Sequence, residues 1–164
     1  MPRSLGRTLA GRRYLATSLA GLCLGLLAPP ASALPLLSEV FYDAVGSDDG
    51  HGFVELYGAP GTPLADFALE GVNGADGGVA PSLALDGVIG ASGFFVLADA
   101  LADGTTLVPG ADALANFDFQ NGPDSIVLRF GGAVVDAVGY GDFAPDEVFA
   151  GEGSPAPDAP AGTS

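Results

Sequence analysis

Apolar residues come in short runs along this chain, and each run is broken by Gly, Pro or acidic residues before a helical period is established. In Phe53-Val54-Glu55-Leu56-Tyr57, Val54 and Leu56 share one face and Glu55 takes the other, the period-2 pattern of a half-buried strand. Leu36 to Tyr42 reads as a strand before it, and Asp43 to Gly52 as an acidic turn-rich loop. Gly58 to Pro63 turns again. Leu64 to Val72 holds a short strand around Phe67-Ala68-Leu69, and Asn73 to Gly78 is a loop by composition. Ser82 to Leu85 and Val88-Ile89 are brief apolar pieces. Gly93 to Ala98 is nearly all apolar, as expected of a strand covered on both sides. Ala100 to Ala115 fits neither template: its alanines suit a helical turn, but Gly104, Pro109 and Gly110 interrupt it. Asn116 to Gln120 alternates polar and aromatic residues, so Phe117 and Phe119 can face inward from one extended segment.

The clearest local signal is a hairpin. Ser125 to Phe130 and Ala133 to Val138 flank Gly131-Gly132, a two-residue turn of the kind that hairpins favour. A regular ladder pairs Phe130 with Ala133, Leu128 with Val135 and Ile126 with Ala137, and these six apolar residues should form the buried face. Arg129 and Asp136 then become diagonal neighbours on the other face, so Arg129 is expected to lean toward Asp136. The chain thus carries seven or eight short strands over about a hundred residues, the size of an immunoglobulin-like β-sandwich. The expected fold class is all-β.

Composition sharpens this picture. The 164 residues include 26 Gly and 13 Pro, close to the level of low-complexity disorder, but 48% are apolar and ten are Phe, which argues for a packed core. Charge is unevenly placed. Four of the five basic residues are Arg3, Arg7, Arg12 and Arg13, and no acid precedes Glu39. The apolar stretch Tyr14 to Ala28 follows, then Pro29-Pro30-Ala31-Ser32-Ala33. Basic start, short apolar middle and small-residue exit form a secretory signal peptide over residues 1–33, cleaved between Ala33 and Leu34. The middle falls short of the roughly 20 apolar residues of a membrane span, so no span is expected after its removal. Cys23 reads as a small residue of the signal core. Arg12-Arg13 leaves twin-arginine export open beside the ordinary route.

Residues 34–150 then form the β-sandwich domain and residues 151–164 a Gly/Pro/Ala-rich tail. The expected location is exported: secreted, cell-surface or periplasmic. Removing 33 of the 164 residues leaves 131, with twenty acids and one Arg, a formal charge of −19 with His neutral. Such a surface repels nucleic-acid phosphates and anionic membranes, so no nucleic-acid partner is expected.

Five stretches in order resemble the lamin tail domain family, in particular its exported bacterial members. They are Leu37 to Asp43 with Gly46 and Asp48; Gly52 to Tyr57, like the family's Glu-Phe-Val-Glu-Leu with Gly52 for the first acid; Leu64 to Leu69, with Phe67 near the family's Trp; Asn121 to Leu128, like Gly-Asp-x-Val-x-Leu; and Val134 to Tyr140, like Val-Val-Asp-x-Val-x-Tyr. The resemblance covers roughly Leu36 to Ser164. It implies an immunoglobulin-like β-sandwich that acts as a non-enzymatic interaction module. Family members usually continue with a Ser-Leu-x-Arg strand, whereas this sequence stops at Gly162-Thr163-Ser164. Residues 151–164 are therefore expected to be extended and poorly packed, beside a sheet edge open to pairing, through truncation or for a partner's strand.

Candidate chemistry is sparse. His51 lies near Ser47 and Asp49, but adjacent loop residues rarely supply triad geometry. Beyond the signal there is no Cys or Lys, which removes thiol nucleophiles and Schiff-base lysines. A zinc site of several His or Cys is excluded as well. Asp43, Asp48 and Asp49 crowd one loop and offer the oxygen ligands that calcium takes; the alternative is a solvated turn with Asp chosen for its geometry. Asn73 to Gly77 carries the same ambiguity. The leading expectation is a non-catalytic module that binds an unidentified macromolecule or surface, with no cofactor. A calcium-dependent structural or adhesive module is the alternative, and an exported hydrolase the third.

Overall fold

A computed structural model describes residues 33–163; residues 1–32, on which the expected signal peptide with Arg3, Arg7, Arg12, Arg13 and Cys23 falls, lie outside the described residues. Eight strands follow in order: β1 Leu36–Phe41, β2 Phe53–Tyr57, β3 Phe67–Asn73, β4 Val79–Ala84, β5 Phe94–Asp99, β6 Ala113–Ala115, β7 Asp124–Phe130 and β8 Ala133–Tyr140. They form two four-stranded sheets, ordered β1-β2-β5-β6 and β4-β3-β7-β8. The described residues contain no helix.

The fold is built by strand alternation. Val54, Leu56, Phe95 and Leu97 of the first sheet meet Phe67, Leu69, Ile126 and Leu128 of the second in one core. Phe117 and Phe119 enter that core from the segment between β6 and β7, as their alternation requires. Fully burying each large apolar side chain stabilises by about 1.5–3 kcal/mol. The all-β class and two-layer sandwich read from the sequence are therefore those of the structure. The stretch from Ala100 to Ala115 ends in β6, which pairs with β5 in parallel: Leu97 with Ala113, Ala98 with Leu114, Asp99 with Ala115.

Three expectations need correction. First, the β7–β8 hairpin turns at Gly131-Gly132, with φ of 55° and 85° that glycine adopts without strain. It pairs Phe130 with Ala133 and Arg129 with Val134 as a regular ladder would. A register shift between Leu128 and Arg129 then sets Leu128 opposite Asp136 and Ile126 opposite Val138. The cause is visible in β8. Unbroken alternation inward from Val135 would turn Ala137 and Gly139 toward the main core. The shift instead packs Val138 and Tyr140 against the core, a larger apolar gain. Phe130 and Ala133, at the hairpin tip, are exposed.

Second, the shift separates Arg129 from Asp136. The Arg129 Nε donates to Glu70 Oε2 of β3 at 2.5 Å. The Asp136 carboxylate accepts the Leu37 N–H of β1 at 2.7 Å, tying the edges of the two sheets together.

Third, the tail is extended and mostly exposed, as expected, but it is tethered to the sandwich by hydrogen bonds. Ala156 forms a parallel bridge with Tyr140, donating its N–H to Gly139 O at 2.8 Å while its own C=O accepts Gly141 N–H at 2.9 Å. Glu152 N–H reaches Ala137 O, Ala159 N–H the Tyr42 hydroxyl, and Gly162 N–H Asp43 O. Ala156 and Ala159 lie against the core. The sheet edge beside the tail, expected to be open, is thus met by the chain itself from Ala137 to Gly141, one of the ordinary protections of an edge.

Candidate interaction face

The acidic loop folds to place Asp48 and Asp49 with Asp99 and Asp118 around a hollow of about 390 Å³. Asp43 does not line it; its backbone carbonyl holds the tail through Gly162. The carboxylates serve the backbone. Asp48 Oδ1 accepts Ala44 N–H at 2.7 Å. Asp99, buried at the end of β5, accepts Gly50 N–H at 2.6 Å and Phe117 N–H at 2.9 Å. It thereby pins the acidic loop and the Phe117 segment to one strand end. Desolvation in the hollow, with the charges of Asp48 and Asp99, raises the Asp118 pKa above its ordinary value. Among the described residues, no three or more His, Cys, Asp or Glu side chains converge to hold a metal ion. The sequence reading missed Asp99 and Asp118 because both lie far along the chain from the loop they face. An acid closing the otherwise apolar run of β5 was the available sign.

His51 donates its backbone N–H to Asp48 O, and its Nδ1 is buried with no hydrogen-bond partner. In a Ser-His-acid triad that nitrogen donates to the orienting acid. Neither Asp49 nor any other group takes that place here. Asn73 and Asp76 close their own turn, accepting N–H groups of Ala75 and Gly78.

The outward face of the first sheet is the more unusual surface. Because Val54, Leu56, Phe95 and Leu97 point inward, their neighbours point out, and paired residues share a face. Three rows result. Phe41, Phe53, Ala98 and Leu114 form one; Glu39, Glu55 and Val96 the next; Leu36, Tyr57 and Phe94 the third. An antiparallel sheet that faces water alternates polar residues outward, yet only the two glutamates in these rows are polar in kind. Leu36, Tyr57, Phe94 and Leu114 are 49%, 55%, 39% and 44% exposed. The expectation that Gly93 to Ala98 is covered on both sides therefore holds only for its inner residues and Ala98. Phe41 and Phe53 stack at 5.6 Å, and Tyr57 and Phe94 meet at 5.2 Å. Beside the third row, Leu34 and Leu36 edge a hollow of about 420 Å³ that runs to Ser92.

The second sheet is different. Its outward Val72, Val127 and Ala137 are buried in a small second core, closed by Ala150 of the segment after β8. Ala150 N–H is anchored on Ser125 Oγ at 3.1 Å. One sheet thus has a covering layer from its own chain. Over the outward side chains of the other, the exposure of Tyr57 and Leu36 shows an incomplete cover.

The fold places the chain among two-sheet β-sandwiches. No protein-family model matches it, and no curated protein matches it significantly.

Proposed function

We propose that this chain is an exported, non-catalytic β-sandwich module of the lamin tail, immunoglobulin-like kind, which binds another macromolecule through the outward face of its first sheet. The observation that carries the reading is that face: four large apolar side chains exposed by 39–55% around two aromatic pairs. Contiguous apolar surface of this sort marks a docking site. The family likeness is supported by placement, since the five quoted stretches occupy β1, β2, β3, β7 and β8. Export is supported by the basic, apolar and small-residue order of residues 1–33, and mass spectrometry of exported material should find Leu34 as its first residue.

The test is site-specific photocrosslinking in the producing cells. A photoreactive residue in place of Tyr57 should give a discrete adduct with a partner, and the same residue in place of the exposed Val134 on the other sheet should not. Equal adducts at both positions, or none at Tyr57, would overturn the docking face. Turnover of a glycosidase, esterase or phosphatase substrate by the chain would overturn the non-catalytic reading.

A further inference from the structure

We propose that Asn121 is a site of spontaneous covalent modification, converted to an aspartyl or isoaspartyl residue by attack of the Gly122 nitrogen, while the fold holds the matching pair Asn73-Gly74 unreactive.

The chemistry begins in the sequence. In an Asn-Gly pair the backbone nitrogen of the glycine attacks the asparagine Cγ, and glycine has no Cβ to shield it. The N–Cγ bond forms, the Cγ–Nδ2 bond breaks, and the glycine's proton leaves with the amide nitrogen as ammonia. Water then opens the cyclic imide at either carbonyl. Asn and water thus become ammonia and Asp or isoAsp, with no oxidant or reductant. The step needs a free side-chain amide and a free glycine N–H. The sequence holds two such pairs, Asn73-Gly74 and Asn121-Gly122.

The structure treats them oppositely. Gly74 is buried, and its N–H is shared between Asp124 Oδ1 at 2.8 Å and Pro123 O at 3.1 Å. Asn73 donates its Nδ2 to Gln120 Oε1 at 3.0 Å and accepts Ala75 N–H at 2.7 Å. Both reacting groups of that pair are engaged. Asn121 and Gly122 instead lie exposed in the bend before β7. Among the described residues, neither the Asn121 amide nor the Gly122 N–H has a hydrogen-bond partner. A hydrogen bond to a charged group contributes about 1.5–3 kcal/mol, and each 1.36 kcal/mol is tenfold in rate. Freeing Gly74 from Asp124 should therefore slow Asn73 by at least about tenfold.

The position of Asn121 gives its modification a consequence. On one side the Gln120 carbonyl accepts the Tyr140 hydroxyl at 2.7 Å; on the other, Pro123 and Asp124 hold Gly74. An isoaspartyl linkage runs the main chain through the side-chain carbon and lengthens it by a methylene between these anchors. An aspartyl product adds the charge alone.

Peptide mapping by mass spectrometry tests this on the full chain, incubated at pH 8 in buffer and in concentrated urea. In buffer the Asn121 peptide should show the mass gain of amide-to-acid exchange, as resolved Asp and isoAsp forms. The Asn73 peptide should change at least about tenfold more slowly. Urea should bring the two rates together. Equal rates in buffer, or an Asn121 as inert as Asn73, would overturn the proposal. A difference that persists in urea would belong to the neighbouring residues and overturn the part given to the fold. The Asn121→Asp variant, with the charge but no added methylene, should melt as the parent does, and the isolated isoaspartyl form should melt lower. An isoaspartyl form that melts with Asn121→Asp would overturn the consequence drawn from the anchors.

Discussion

Asp99 shows how one side chain organises a loop that has no regular structure of its own. Its two oxygens accept N–H groups from Gly50 and Phe117, residues that no strand ladder serves. A buried N–H left without a partner costs about 1–3 kcal/mol. Asp99→Ala should therefore destabilise the domain by roughly 2–5 kcal/mol in urea unfolding, and Asp99→Asn by less, since the amide keeps one acceptor. Equal, small losses for both would mean that water replaces the carboxylate. Across the hollow, Asp118 behaves oppositely. Its pKa is raised on folding, so the folded state binds the proton more tightly than the unfolded chain does. Stability falls as pH rises from the ordinary carboxylate value through the raised one, and the charge is a net cost at neutral pH. Asp118→Asn should give a small gain in melting temperature at pH 7 that disappears below the ordinary aspartate pKa. A gain independent of pH would place its origin elsewhere than in the charge.

At the scale of elements, what was legible depended on whether the deciding forces were local. The Gly131-Gly132 turn and the inward faces of β2 and the Phe117-Phe119 segment follow from turn chemistry and alternation over a few residues. The bulge in the same hairpin does not. It depends on which side chains of β8 the far sheet can accept, and a short strand shows no preference between turning Ala137 or Val138 toward that sheet until it is present. Arg129 followed from the same error: the register decided that Glu70, not Asp136, was its neighbour. The tethering of the tail was not legible because its composition is that of a linker, while its hydrogen bonds go to Gly139, Tyr42 and Asp43, groups well before it in sequence. The three rows of the candidate face were present in the strand sequences, but only the β1–β2–β5 register lines them up, and that register runs across two long connections.

At the scale of the molecule, charge sets the conditions under which the domain is stable. Residues 34–164 carry twenty acids against Arg129, which is already bonded to Glu70. Most of these carboxylates are on loops and strand faces in water, where repulsion among them acts over about a Debye length, near 10 Å at 0.1 M salt and 3 Å at 1 M. Folding brings them closer together than the unfolded chain does, so repulsion opposes the compact state and screening relieves it. The melting temperature should rise by several degrees between 0.01 and 1 M sodium chloride, most of it over the first few tenths molar. Calcium chloride at matched ionic strength separates this general effect from the calcium-dependent reading of Asp43, Asp48 and Asp49. A site that bound calcium in the folded state alone would add a stabilisation that grows with the logarithm of calcium concentration. With Asp48 Oδ1 and both Asp99 oxygens held by backbone N–H groups, and with no three acidic or His side chains converging among the described residues, the calcium and sodium curves should coincide once ionic strength is matched. A calcium curve that climbs above the sodium curve, and loses that excess in Asp48→Asn, would restore the acidic loop as a metal site.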